Sequence, residues 1–375
     1  MHLFDIYPLF DISLVKGNGT YVYDDKGQEY LDFYGGHAVI SVGHNHPQYT
    51  RALQEQLEQL AYYSNSVHLP LQEQLAIKLG EISAYTNYQL FLCNSGAEAN
   101  ENAIKLASFH TGKKKIIAFQ GAFHGRTHGA VVVTDSKKIK APINTDEHVI
   151  FLPFNDIYAL ENTLQVEDDI CAIIIEPIQG VQGIYEANPE FLSAIQKLCK
   201  RHQIVFIADE IQCGYGRTGK FFAHQWANVQ PDIITIAKGM GNGFPVAGAL
   251  IHPDIQPSHG LLGTTFGGAP LACRAALSVL EIIEKEKLLT NAMQMGDYLK
   301  KRLTSIEGIR EIRGKGLILG IEFNVPIKEM RHKLVKEHNI FTGNANQSHT
   351  LRLLPPLNIT KNHVDTLVDK IISSL

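Results

Sequence analysis

The sequence predicts an α/β protein centred on a mostly parallel sheet with helices on both faces. Two observations carry that prediction. From about residue 48 to 250, helical patterns alternate with short apolar runs, the signature of strands joined by crossover helices. Two of those runs end in residues suited to chemistry, Asp209 and Lys238, about thirty residues apart. That spacing accommodates a strand, a helix or loop, and a neighbouring strand.

In chain order, residues up to about 47 mix short apolar runs with Gly and Asp turns, and read as small strands and a loop. The sheet strands are predicted at 90–93, 115–119, 173–175, 205–208 and 233–237. After Pro270, residues 272–284 form a long apolar helix pattern leading to a smaller C-terminal region that ends near Leu375. The expected division is 1–50 and 261–375 as a small domain built from both termini, with 51–260 as the large domain.

Composition narrows the function classes. At 375 residues, 45% apolar and 19% charged, the chain can bury a sizeable core across two domains. A net charge of -4 gives no case for nucleic acid as a partner. Cys93, Cys171, Cys199, Cys213 and Cys273 form no CxxC pair and no metal spacing, and fit reduced thiols. The N-terminus shows no basic region followed by an apolar stretch, and no charge-free window reaches membrane-spanning length. A soluble, cytoplasmic protein without a metal is expected.

The chemistry starts at Lys238. It ends the run Ile233-Ile234-Thr235-Ile236-Ala237 and precedes the turn Gly239-Met240-Gly241-Asn242-Gly243. Apolar neighbours make charging an amine costly, and a lysine with a depressed pKa can form a Schiff base. Alone, Lys238 could equally cap a strand in solvent. Asp209, which ends the run Ile204 to Ala208, shifts that balance. Pyridoxal phosphate (PLP) needs both a Schiff-base lysine and a carboxylate on its ring nitrogen. Both residues would emerge at the carboxyl edge of one sheet, where ligands bind in such folds. A third element, Phe91-Leu92-Cys93-Asn94-Ser95-Gly96-Ala97, reads as a strand, a tight turn and a helix start. Its unpaired N–H groups suit a phosphate.

The set Asn94-Ser95-Gly96-Ala97-Glu98-Ala99, Gly121-Ala122-Phe123-His124-Gly125-Arg126-Thr127, Glu176-Pro177-Ile178-Gln179-Gly180, Asp209-Glu210-Ile211-Gln212 and Lys238 resembles the class III aminotransferases. Within them it is most similar to the acetylornithine and succinylornithine aminotransferases, and the resemblance runs over nearly the whole chain. It implies fold type I of the PLP enzymes, with a seven-stranded-type sheet and a homodimer that shares its active sites. It also implies transfer of the δ-amino group of an N2-acylornithine to 2-oxoglutarate, in arginine biosynthesis, with ornithine or 4-aminobutyrate as the alternative amino donor.

The resemblance assigns roles residue by residue. Lys238 carries the Schiff base and moves protons, and Asp209 holds the ring nitrogen. Ser95, Gly96 and Ala97 take the phosphate, Phe123 stacks on the ring, and Gln212 bonds the ring hydroxyl. Thr265 reaches the partner subunit's phosphate, and Thr264 points towards substrate. Arg126 grips the carboxylate remote from the reacting amine, while Arg352 takes the α-carboxylate of glutamate, with Glu176 beside it. Tyr7 lies where relatives place a tyrosine near the substrate.

Three positions depart from the family pattern. Many relatives carry Thr in place of Ala97, a change that keeps a backbone contact to phosphate but not a hydroxyl one. Many relatives carry Glu where this chain has Val181, and that acid pairs with the second arginine. Arg352 is therefore bare, paired with Glu176, or pointed elsewhere. His37 stands where relatives usually have a hydrophobic residue; it is read as a satisfied loop histidine, with the acyl pocket as the alternative. His44 and His46 lack further metal ligands and read as structural. A nicotinamide dehydrogenase would need a glycine fingerprint after the first strand, which is absent. A passive cofactor binder would have little use for both arginines.

Overall fold

Short apolar runs become the strands of one sheet because both of its faces are covered. The computed structural model describes residues 1–144 and 147–375. Its central sheet has seven strands in the order Gln89–Cys93, Ala247–Ile251, Ile233–Ile236, Val205–Asp209, Ile170–Ile175, Lys115–Phe119 and Val149–Leu152. Neighbours pair in parallel except at Ala247–Ile251, which runs antiparallel to both of its neighbours. The predicted mostly parallel sheet is present.

Alternation along each strand splits the core into two layers. Ile116, Ala118, Val205 and Ile207 pack on one face, together with Ala103, Ile104 and Ala107 of the helix Gly96–Thr111. Ile117, Phe119 and Phe206 pack on the other, against Leu160 and Leu164 of Ile157–Val166 and Phe191 and Ile195 of Pro189–His202. Burying each large apolar side chain contributes about 1.5–3 kcal/mol.

Two strands went unread in the sequence, Val149–Leu152 and Ala247–Ile251. The first is a short edge strand. The second reads Ala-Gly-Ala-Leu-Ile, weak in β propensity, and is held by its neighbours, with Ala247 opposite Cys93 and Gly248 opposite Ile236.

The ends of the chain build two smaller sheets. Leu14–Asn18, Tyr21–Asp24 and Glu29–Asp32 pair in sequence, and Ile340–Phe341 adds parallel to the third. Ile309–Lys315, Ile318–Phe323, Thr350–Leu353 and Gly343–Asn344 form an antiparallel sheet. The helix Pro270–Lys285 presents Ala275, Ala276, Val279, Leu280, Ile282 and Ile283 to the largest core cluster, each fully buried. Among the described residues no helix is long and apolar enough to cross a membrane.

Polar clamps tie these parts together. Buried Arg217 donates to the carbonyls of Leu317, Pro355 and Ile40, and burial pulls its pKa down to about 9. Asn242 Oδ1 accepts from the Ser41 and Val42 N–H groups at 2.8 and 3.0 Å, while its Nδ2 donates to the Gly43 carbonyl at 2.9 Å. The turn after Lys238 is thereby pinned to the N-terminal segment. Asn242→Ala leaves these buried groups unpaired, so we expect a loss of about 2–4 kcal/mol in denaturant unfolding; an unchanged midpoint would refute the clamp.

Candidate active site

Parallel strands end together, so whatever follows their last residues converges. At this edge lies a cavity of about 410 Å³, within the range of cofactor sites. Asp209 ends its strand opposite Thr235, three residues before Lys238, and both Asp209 and Lys238 line the cavity.

Asp209 is 3% exposed and held from three directions. Its Oδ2 accepts from Asn100 Nδ2 and His124 Nδ1, each at 2.7 Å, and its Oδ1 accepts from the Ile211 N–H at 3.1 Å. Asn100 in turn accepts from Thr235 Oγ1 and donates to the His124 carbonyl. Neither Asn100 nor His124 was singled out from the sequence. A signal existed for the first: Asn100 is a polar residue on the apolar face formed by Ala99, Ala103, Ile104 and Ala107.

Lys238 follows a strand buried throughout and takes a left-handed backbone, φ 47°, an uncommon state that tends to collect at functional sites. Among the described residues its ammonium has no hydrogen bond or ion pair. Burial lowers its pKa from 10.5, and Arg352 adds to this against the opposing pull of Asp209 and Glu176.

Ser95 caps the helix Gly96–Thr111, its Oγ accepting from the Glu98 N–H at 3.2 Å. The N–H groups of Gly96 and Ala97 open that helix at the cavity wall. Phe123 and Arg126 sit on the same wall. Arg126 is exposed and makes no hydrogen bond or ion pair among the described residues.

Glu176 also lines the cavity, but its oxygens accept from the Phe123 and Gly180 N–H groups at 2.9 and 3.2 Å. Burial pushes its pKa up to about 7, against the pull of His124. Gln212 packs so closely on Gly180 that a Cβ there would lie 1.7 Å from its Oε1, so a side chain at this position would displace the Gln212 amide.

Arg352 resolves into one of the three expected states. It is 4% exposed, and its guanidinium donates to the Gly180 and Asn344 carbonyls and, at 3.5 Å, to Gln212 Oε1. Backbone dipoles thus do the work of the missing acid, and Val181 adds an apolar surface to the cavity wall.

Thr264 and Thr265 stand outside the cavity wall of their own chain. Thr264 Oγ1 accepts from Asn94 Nδ2 at 3.0 Å, and Thr265 is exposed. Tyr7 is 63% exposed in the N-terminal segment. His44 pairs with Asp32 and His46 with Glu286, and all five cysteines are buried and free.

The turn Gly35–Ala38 forms another part of the site. Gly35, Gly36, His37 and Ala38 all have positive φ, 55° to 68°, which makes a left-handed turn. Each of the two non-glycine residues costs about 1–2 kcal/mol in that state. Asp32 holds the turn by accepting from the Tyr34 and Gly35 N–H groups, and Gln212 Nε2 donates to the His37 carbonyl at 3.4 Å.

The aminotransferase class-III family profile matches residues 7–375. The chain is a class III aminotransferase. It is 43% identical to the acetylornithine aminotransferase of Bacillus subtilis (strain 168), over 98% of this chain and 96% of that protein. It is 39% identical to the one from Archaeoglobus fulgidus, over 98% and 96%. Among solved structures, the acetylornithine aminotransferase of Elizabethkingia anophelis superposes with a TM-score of 0.85 at 32% identity, covering 100% of this chain and 96% of that one. An ornithine aminotransferase from Toxoplasma gondii gives 0.92 at 29%, covering 100% and 92%.

Class III aminotransferases depend on PLP, and this chain fits it. An amine without a partner among the described residues, a buried carboxylate, a helix N-terminus and an aromatic side chain line one cavity. A depressed lysine pKa destabilises the native state below 10.5, because the unfolded chain gains a proton that the folded chain resists. In cofactor-free protein, Lys238→Met should therefore raise the melting temperature near neutral pH. The gain should shrink as pH rises towards 10.5; a gain that does not vary with pH would contradict the shift.

Proposed function

We propose that this aminotransferase moves the δ-amino group of N2-acetylornithine to 2-oxoglutarate, giving N-acetylglutamate 5-semialdehyde and glutamate. The observation that carries the reading is identity of 38–43% to acetylornithine aminotransferases of bacteria and archaea, over at least 96% of the chain. N2-succinylornithine is the nearest variant. A second reading, ornithine or 4-aminobutyrate as donor, draws on the ornithine aminotransferase among the structural neighbours and on the absence of an acid at Val181.

When bound, PLP supplies an electron sink for the carbon that loses its proton. The chain supplies the rest. Lys238 Nζ, whose pKa burial lowers, would hold the aldehyde covalently, then take the proton from Cδ of the acylornithine and later return one. Asp209, fixed by Asn100 and His124, would bind the ring nitrogen and hold its proton. Gly96, Ala97 and Ser95 would bind the phosphate at the helix terminus. Phe123 would stack on the ring and Gln212 would bond its hydroxyl.

Arg126, exposed and unpaired among the described residues, would take the carboxylate remote from the reacting amine, and Arg352 the α-carboxylate of glutamate. Glu176 would act through the wall it pins, keeping Phe123 and Gly180 in place. The two half-reactions share one site, so kinetics should be ping-pong.

We assign residues 1–50 and 261–375 to a small domain, supported by the pairing of Ile340–Phe341 with Glu29–Asp32. A homodimer is supported by exposed apolar surface beside Thr265. Phe266 is 63% exposed against Tyr62, where a second copy would bring Thr265 to its neighbour's phosphate and Thr264 to substrate. A cytoplasmic setting suits five reduced cysteines.

Comparing kcat/KM for N2-acetylornithine, N2-succinylornithine, ornithine and 4-aminobutyrate tests the assignment. We expect the acetylated amine to lead; a lead by ornithine or 4-aminobutyrate would overturn the reading. Val181→Glu restores an acid beside Arg352 that 2-oxoglutarate must displace. We expect its KM for 2-oxoglutarate to rise about tenfold, the equivalent of 1.4 kcal/mol, and an unchanged value would show that Arg352 does not take that carboxylate.

A further inference from the structure

Glu101 lies one residue beyond Asn100 on the helix Gly96–Thr111, and the reaction gives it no task. Its carboxylate nevertheless meets three donors, all on the segment that follows Arg126. Oε1 accepts from the Gly129 N–H at 2.9 Å. Oε2 accepts from the Thr127 hydroxyl and from the Ala130 N–H, the latter at 3.1 Å. The backbone closes down on the carboxylate, since a Cβ on Gly129 would lie 2.8 Å from Oε1.

The same helix holds the other side of Arg126. Asn100 Nδ2 donates to the His124 carbonyl at 2.7 Å. Gly125, at φ 139°, packs on the first turn, where a Cβ would come within 2.7 Å of Ala97 Cβ and 2.9 Å of Ala97 Cα. Both flanks of Arg126 are therefore fastened to one helix, whose N-terminus opens at the cavity wall. Arg126 itself lines the cavity, and among the described residues it has no hydrogen bond or ion pair.

We propose that Glu101 is a positioning residue that aims Arg126, and through it sets the affinity for the carboxylate remote from the reacting amine. The inference rests on the proposed function, in that Arg126 takes that carboxylate. A guanidinium closes its planar fork on a carboxylate in a narrow range of directions. With no bond inside the chain to orient the side chain, the place of its backbone decides where the fork can reach. Glu101 fixes that place relative to the helix, and a misplacement of about 1 Å is enough to weaken a productive pose. Glutamine at this position has one acceptor oxygen. Either Gly129 or the Thr127 and Ala130 pair would then meet an NH2 group.

The test uses purified holoenzyme as wild type, Glu101→Gln, Thr127→Val, Arg126→Ala and the double variant Glu101→Gln with Arg126→Ala. Titration calorimetry gives the Kd of glutarate, a dicarboxylate with no amine or carbonyl to react. Steady-state kinetics give kcat and KM for N2-acetylornithine. Glu101→Gln should raise the glutarate Kd and the acetylornithine KM about tenfold and leave kcat within about twofold. Thr127→Val removes one of the three donors and should raise both about threefold. On the Arg126→Ala background, Glu101→Gln should change the glutarate Kd by less than about twofold, because the residue it acts through is gone.

An unchanged glutarate Kd in Glu101→Gln overturns the proposal. So does a rise as large on the Arg126→Ala background as on wild type, which would place the effect elsewhere. If Glu101→Gln melts early, Thr127→Val, alone and combined with Arg126→Ala, is read in the same way. An unchanged glutarate Kd in Arg126→Ala would strike the proposed role of Arg126, and this inference with it. Failure of the wild-type chain to use any acylornithine would strike the proposed substrate alone, and glutarate binding would still test Glu101.

Discussion

The carboxylate of Asp209 is the point on which the site is assembled. It is buried, so each of its oxygens must be met by a donor, and the donors come from separate parts of the fold. Asn100 comes from the helix behind the sheet, His124 from the loop that also carries Phe123 and Arg126, and Ile211 from the turn that carries Gln212. Satisfying one charge therefore positions three walls of the cavity at once. Thr235 extends the network through Asn100 to the strand that delivers Lys238.

The same economy appears at Arg352, with opposite charge. A buried guanidinium beside a carboxylate would have to exchange that partner for substrate, a costly step when both are desolvated. Here Gly180 and Asn344 offer carbonyl dipoles instead, and among the described residues the guanidinium has no carboxylate partner. That arrangement needs Gly180 without a side chain and Gln212 in close contact with it. It also leaves the left-handed turn at His37 as part of the same structure, since Gln212 touches both.

Much of the site was legible in the chain because its residues lie in local motifs. A strand followed by a turn can be read from apolar runs and glycine, and Asp209, Lys238, Gly96 and Arg126 each end or follow such a run. Asn100 and His124 were harder, because their role is contact with Asp209 across more than eighty residues in each case. The strand Ala247–Ile251 was invisible for a related reason. Its small residues have little preference of their own, and only its two flanking strands make it a strand.

Sequence by itself determined the layer order, five of the central strands, the family and the residue types that do chemistry, because periodicity and motif spacing are properties of the chain. Tertiary structure alone decided what each polar group faces. It turned Glu176 towards the Phe123 and Gly180 N–H groups, gave Arg352 carbonyls in place of an acid, and set His37 beside Tyr34 in a strained turn. The reason is physical: burial requires every polar atom to find a partner, and those partners lie far apart in sequence.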